Sequence, residues 1–222
     1  MDPLRLDDVR ANVAVVRERV AAAAMRAGRN PADVEILAAV KYLGGPDLEV
    51  VADAGITLVG ENRAQELIEK DRFARGRLRW HFIGALQSRK VKLIVPHVEL
   101  IHSVASDSAL AALAACAPPT FEILVEVNIA GEPGKAGIAL AQLDAFIARS
   151  PVRVVGLMTM PPQTDDPETN RPYFTALAAL ARERGLRHVS AGTSQDYEVA
   201  VECGASIVRI GTSLYRRSTA AR

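Results

Sequence analysis

Val34-Glu35-Ile36-Leu37-Ala38-Ala39-Val40-Lys41 is the stretch on which the reading of this chain turns. A short, nearly continuous apolar run fits a strand buried on both faces, and a lysine stands where that strand ends and a loop begins. Lysine is costly to bury and its pKa falls when it is buried. Lys41 is therefore a candidate amine for a Schiff base with an aldehyde. From position alone, a solvated lysine that merely follows a strand is the more common case.

Working outward, short apolar runs alternate with helical periodicities. Strands are expected at 34–40, 57–59, 79–83, 100–103, 122–128, 154–158, 188–190 and 206–210, with helices at 47–54, 63–74, 88–95, 107–117, 141–150, 171–184 and 195–203. An additional helix precedes them over 7–27, where Val9, Val13, Val16 and Val20 recur at helical spacing, Asp7 or Asp8 can cap, and Gly28 stops it. Strict alternation forces right-handed crossovers and a parallel sheet, either doubly wound or closed. The count of eight favours a single α/β domain over 1–222, a (β/α)8 TIM barrel with an extra N-terminal helix. An open nucleotide-binding sheet would place G-x-G-x-x-G after its first strand, where this chain has Lys41-Tyr42-Leu43-Gly44-Gly45.

In a barrel, chemistry sits at the C-terminal strand ends, and the loops after strands seven and eight commonly hold phosphate. Those loops here are Ser190-Ala191-Gly192-Thr193-Ser194 and Arg209-Ile210-Gly211-Thr212-Ser213. Ser194 and Thr212 offer hydroxyls, and Gly192 and Gly211 would let backbone approach a ligand closely. Ser194 could equally cap a helix starting near Gln195. Arg209 lies inside an apolar strand and needs a partner, either a ligand at the barrel mouth or a buried carboxylate. His81, between Trp80 and Phe82, reads as a core histidine or a site residue.

Other signals exclude function classes. The 222 residues are 49% hydrophobic, and 27 Lys and Arg oppose 26 Asp and Glu for a net charge of +1. No general field attracts nucleic acid or an anionic membrane. The acidic N-terminus is unlike a secretory signal and no run is long enough for a membrane span, so a cytoplasmic protein is expected. Cys116 and Cys203 have no C-x-x-C spacing and read as packing residues. His97, His102 and His188 make no metal spacing. Gly131-Glu132-Pro133-Gly134-Lys135-Ala136 fails as a P-loop, because Ile129 stands where the first glycine belongs and Ala136 where Ser or Thr would hold magnesium. The basic run 88–92 reads as a solvated helix face.

Seven motifs, weak singly and highly specific in this order, run along nearly the whole chain: Ala39-Val40-Lys41, Gly60-Glu61-Asn62, the run 80–90 from Trp80, Val127-Asn128-Ile129, Lys135-Ala136-Gly137-Ile138, Gly156-Leu157-Met158 and Val208-Arg209-Ile210-Gly211-Thr212. On them the chain resembles the pyridoxal-phosphate homeostasis proteins, the YggS or PROSC-like family, related to the N-terminal barrel of alanine racemase. The resemblance implies pyridoxal 5′-phosphate held as an aldimine on Lys41, with Ser194, Arg209, Gly211 and Thr212 on its phosphate or ring and Asn62, His81 and Met158 lining the pocket. Buffering or delivery of the cofactor is expected, with apo pyridoxal-phosphate enzymes as partners and a monomeric state, and without robust catalysis, since an arginine facing the pyridine nitrogen would weaken the electron sink and no second base opposes Lys41. Three positions depart from the family pattern: Lys41-Tyr42-Leu43 lacks a second lysine, Thr193 replaces a methionine, and Arg216 replaces a glycine after Tyr215. The alternative is a small amino-acid racemase. It would need a second base opposite Lys41, for which Tyr42, Tyr215 or a water are the candidates, and no room for a further domain is expected after the eighth strand.

Overall fold

The computed structural model of the chain describes residues 3–74 and 76–217. Eight strands close on themselves in chain order, every neighbouring pair parallel: β1 (Glu35–Ala39), β2 (Leu58–Glu61), β3 (Arg79–Phe82), β4 (Leu100–Val104), β5 (Glu122–Glu126), β6 (Arg153–Met158), β7 (His188–Ser190) and β8 (Ile207–Ile210). The helices pack outside them: α1 (Leu6–Arg26), α2 (Gly45–Asp53), α3 (Ala64–Ala74), α4 (Val91–Ile94), α5 (Asp107–Cys116), α6 (Leu143–Ala148), α7 (Arg171–Glu183), α8 (Tyr197–Glu202) and α9 (Thr212–Tyr215). The expected (β/α)8 barrel with an additional N-terminal helix is the fold.

Strand alternation divides the core. One large cluster lies between barrel and helices, with Val59, Ile101, Val125 and Val208 facing the helices. A smaller one fills the lumen: Leu37, Leu58, Leu100, Leu124, Val155, Met158 and Ile207. Branched side chains from several strands interdigitate there, so the barrel is plugged and has no pore. At the N-terminal rim, exposed ion pairs link the strands: Arg79 of β3 reaches past β2 to Glu35 of β1 at 3.1 Å and pairs with Glu99 before β4 at 2.9 Å, and Arg153 of β6 pairs with Glu122 of β5 at 3.0 Å. A depression of about 410 Å³ lies on that side, between α1 and the barrel. Its rim cations are engaged, Arg17 with the Gly55 carbonyl and Arg79 with its two glutamates.

α1 ends as its sequence implies, with Gly28 at φ 67° after the last turn. Its start differs. Arg5 is the N-cap and no side chain caps it; Asp7 and Asp8 sit one turn in, where they oppose the helix dipole's positive end. α1 also clasps the far end of the chain, since Asn12 Nδ2 donates to the carbonyls of Leu214 (3.2 Å) and Arg216 (2.7 Å) around α9. The single helix expected over 88–95 is divided into 3₁₀ turns flanking α4, consistent with Pro96, which removes a backbone donor. α9 was not expected. Cys116 is exposed, so it does not pack in the core.

The lumen cluster is small and closed, so a gap there cannot be filled by relaxation of loops. Leu124→Ala should cost about 2–5 kcal/mol of unfolding free energy in urea, whereas exposed Val15→Ala should stay within about 0.5 kcal/mol.

Candidate functional site

A cavity of about 980 Å³ opens at the C-terminal rim. The strands end there, so side chains on their last residues and following loops converge on one volume. Lys41, Asn62, Ser194, Arg209, Gly211 and Thr212 all contribute to its wall, with Tyr42, Met160, Gln163, Tyr215 and Arg216 around them. Among the described residues three cations line it, Lys41, Arg209 and Arg216, and no carboxylate does. Such a lining draws anions.

Lys41 lies two residues past β1, as anticipated, but its side chain is exposed, contrary to the expectation of a desolvated amine. Its Nζ stands 4.8 Å from the centroid of the Tyr42 ring, a cation–π contact. Arg209 is 6% exposed and resolves the two expectations made for it: it points into the mouth of the lumen, and no carboxylate touches it. Its guanidinium donates to Ser190 Oγ at 2.5 Å and to the Thr159 carbonyl at 2.9 Å, and lies 2.9 Å from Met160 Sδ. Burial lowers its pKa to about 10, against the more distant charges of Asp196 and Glu126, so the cation persists at neutral pH.

Ser190 begins a buried chain across the lumen. Its Oγ lies 2.9 Å from His102 Nδ1, and His102 Nε2 lies 3.0 Å from His81 Nδ1. Arg209 can only donate. The arrangement that uses every group then runs Ser190 O–H to His102 Nδ1 and His102 Nε2–H to His81 Nδ1. Burial, with the Arg79 and His188 charges, takes the His81 pKa down to about 3; burial, with His81, Arg209 and His188, depresses that of His102 as well. Both rings are neutral.

His81 thus reaches the site through two intermediaries and does not line the cavity. Met158 belongs to the apolar cluster of the lumen. Gly192 has φ 87°, and a Cβ there would lie 2.6 Å from Ala200 Cβ and 2.8 Å from Tyr197 Cα. Its openness serves the packing of α8, and Gly192 is not among the residues that line the cavity. Gly211 lines the cavity, but its N–H donates to Ser194 Oγ at 3.2 Å, which ties the loops after β7 and β8 together. Ser194 therefore does not cap α8, which begins at Tyr197 with Asp196 as N-cap. Buried Asp196 holds the β7 loop instead: its carboxylate accepts from Thr193 N at 2.7 Å and from Asn170 Nδ2 at 2.9 Å. Sequence reading missed His102, Ser190, Asp196 and Asn170. Strand parity could have found the first two, since His102 is two residues from lumen-facing Leu100 and Ser190 pairs with lumen-facing Ile207.

Asn62 Oδ1 and the Tyr215 hydroxyl are buried without a partner among the described residues, and both residues line the cavity. An amine, two hydroxyls on adjacent loops, an uncompensated guanidinium and unsatisfied polar atoms fit a planar, anionic, aldehyde-bearing ligand such as pyridoxal phosphate.

The family model of the alanine racemase N-terminal domain matches residues 4–218. The chain is 39% identical over 214 residues, 90% of its length and 94% of the relative's, to the pyridoxal phosphate homeostasis protein of Aquifex aeolicus. To that of Escherichia coli K12 it is 35% identical over 226 residues, covering 95% and 97%. Among solved structures, PipY of Synechococcus elongatus PCC7942 with PLP bound superposes with a TM-score of 0.74 at 29% identity, covering 90% of this chain and all of that one.

The histidine pair makes stability depend on pH with a defined sign. Imidazoles held neutral in the fold take up protons more readily when unfolded, so their contribution is complete above about pH 6.5 and is lost as pH falls toward 3. Melting scans from pH 7 to 4 should show a steep fall, worth up to about 1.4 kcal/mol per pH unit for each histidine. His81→Asn, whose amide reaches near Nδ1, should flatten it.

Proposed function

We propose, since this chain belongs to the pyridoxal phosphate homeostasis proteins within the alanine racemase N-terminal domain family, that it binds pyridoxal 5′-phosphate in the C-terminal cavity and buffers or delivers it. The observation that carries this reading is the cavity lining, in which Lys41 shares one volume with Ser194, Thr212, Arg209 and Arg216 and with no acidic side chain. When bound, the cofactor supplies an aldehyde and an electron-withdrawing ring. Lys41 would supply the amine that takes the aldehyde, the hydroxyls of Ser194 and Thr212 and the backbone at Gly211 would hold the phosphate, and Asn62 would accept from a polar substituent of the ring. Arg209 stays cationic and can only donate, so it would favour a ring nitrogen in its unprotonated form and weaken the electron sink on which amino-acid chemistry depends. His81 and Met158 act from behind, His81 by orienting Arg209 through His102 and Ser190, and Met158 by closing the floor. Gly192 shapes the β7 loop from which Ser194 projects. The exposure of Lys41 suits release to an apo-enzyme by a monomer in the cytoplasm. No helix among the described residues is long and apolar enough to cross a membrane.

The racemase reading keeps one observation in its favour, because Tyr42 and Tyr215 line the same cavity as Lys41. Tyr42, however, lies against the Lys41 ammonium, and burial raises the pKa of Tyr215, which makes it a poor base.

Lys41→Ala should leave unfolding free energy within about 0.5 kcal/mol of the parent, as an exposed residue does, while removing the visible absorbance and the borohydride-reducible adduct formed with pyridoxal phosphate. An undiminished adduct in that variant would move the amine elsewhere, with Lys135 tested next. In deuterated buffer with L-alanine and other L-amino acids, the loaded protein should exchange the α-proton and form D-isomer far more slowly than about one turnover per second. Exchange at that rate would establish the racemase instead.

A further inference from the structure

Lys70 sits on the inward stripe of α3, with Ala64, Leu67 and Ala74, and is 5% exposed. Its three ammonium protons are all engaged: Nζ donates to the Val40 carbonyl at 2.9 Å, to Glu61 Oε2 at 2.5 Å and to Glu66 Oε2 at 3.0 Å. Glu61 closes β2 and is fully buried. Its other oxygen accepts from Asn62 N at 2.6 Å and Arg63 N at 3.1 Å. Val40 immediately precedes Lys41. One ammonium therefore fixes the peptide from which Lys41 projects and, through one carboxylate, the turn that carries Asn62.

Stability alone does not account for this arrangement. A buried ion pair gains little over apolar side chains of similar volume, because its desolvation offsets its attraction, whereas its geometry is far more restrictive. The restricted atoms here are the backbone of two cavity-lining residues from two different strands.

We propose that Lys70, with Glu61, is a positioning residue that sets where the Lys41 amine stands relative to the anion-binding loops. The proposal rests on the reading of Lys41 as the amine that takes the cofactor. The loops after β7 and β8 have their own supports, Asp196 and the Ser194–Gly211 contact, so phosphate binding and amine placement are separable. Lys70 itself, with no free proton and no access to the cavity, is not the amine that reacts.

Three variants test this: Lys70→Met, Lys70→Arg, and Glu61→Gln with Lys70→Met, the last leaving no lone buried charge. Each is checked for cooperative melting and then measured twice. Inorganic phosphate, which makes neither the amine contact nor the ring contact of Asn62, reports the anion-binding loops alone. Its affinity should stay within about twofold, as for distant, independent sites. Pyridoxal phosphate followed by borohydride, with the labelled peptide identified by mass, reports the amine. The rate of adduct formation on Lys41 should fall by about tenfold or more, as a misplacement of reacting atoms by an ångström does. Unchanged adduct formation in any folded variant overturns the proposal. So does a parallel loss of both ligands, which would make Lys70 a general support of the barrel. Absence of a Lys41 adduct in the parent protein is a different failure, that of the cofactor reading itself.

Discussion

The structure depends on a charge that the protein does not neutralise. Arg209 is buried at the mouth of the lumen against a hydroxyl, a carbonyl and a thioether. Neutral acceptors satisfy its hydrogen bonds but leave its field in place, and a buried, uncompensated cation costs several kcal/mol. A carboxylate in the lumen would remove that cost and with it any reason for an anion to enter. Ser190, His102 and His81 solve the problem differently. They hold the guanidinium by a chain of dipoles, and their burial keeps the imidazoles from adding charge of the same sign.

The barrel separates holding from binding along its axis. At the N-terminal rim, charges of opposite sign pair between strands; in the middle, leucines and isoleucine plug the lumen; at the C-terminal rim, cations line the cavity with no acid among the described residues. Acidic groups near that end are withdrawn into supports. Glu61 faces Lys70 and Asp196 faces Asn170 and Thr193, each bracing a loop from behind while contributing nothing to the cavity wall.

Much of this was legible in the sequence. Eight apolar runs alternating with helical periods gave the barrel, because parallel strands buried on both faces must be apolar and few topologies accept eight of them. Strand ends then indicated Lys41, Asn62, Ser194, Arg209, Gly211 and Thr212, which the structure gathers into one cavity. Relations between elements distant in sequence were not legible. His81 and His102 are 21 residues apart and His102 and Ser190 are 88 apart, so their contact follows from barrel closure and not from any spacing. Lys70 hides in a helix of ordinary composition, where only its phase with Leu67 and Ala74 marks it as inward. Gly192 has a second demand that the sequence did not reveal, since the helix behind this phosphate-suited loop leaves no room for a Cβ there.

The clasp between Asn12 and the turn around α9 has a consequence in time. Synthesis runs from the N-terminus, so α1 and Lys41 emerge well before β8 and α9. A nascent chain thus carries the Lys41 amine long before it carries Arg209 or Thr212, and α1 waits for its partner until all eight strands have been made. Closure of β1 against β8 and docking of α9 under Asn12 are then the same late event. The cation-lined wall of the cavity is thus assembled together with barrel closure, and no earlier stage of the chain holds it.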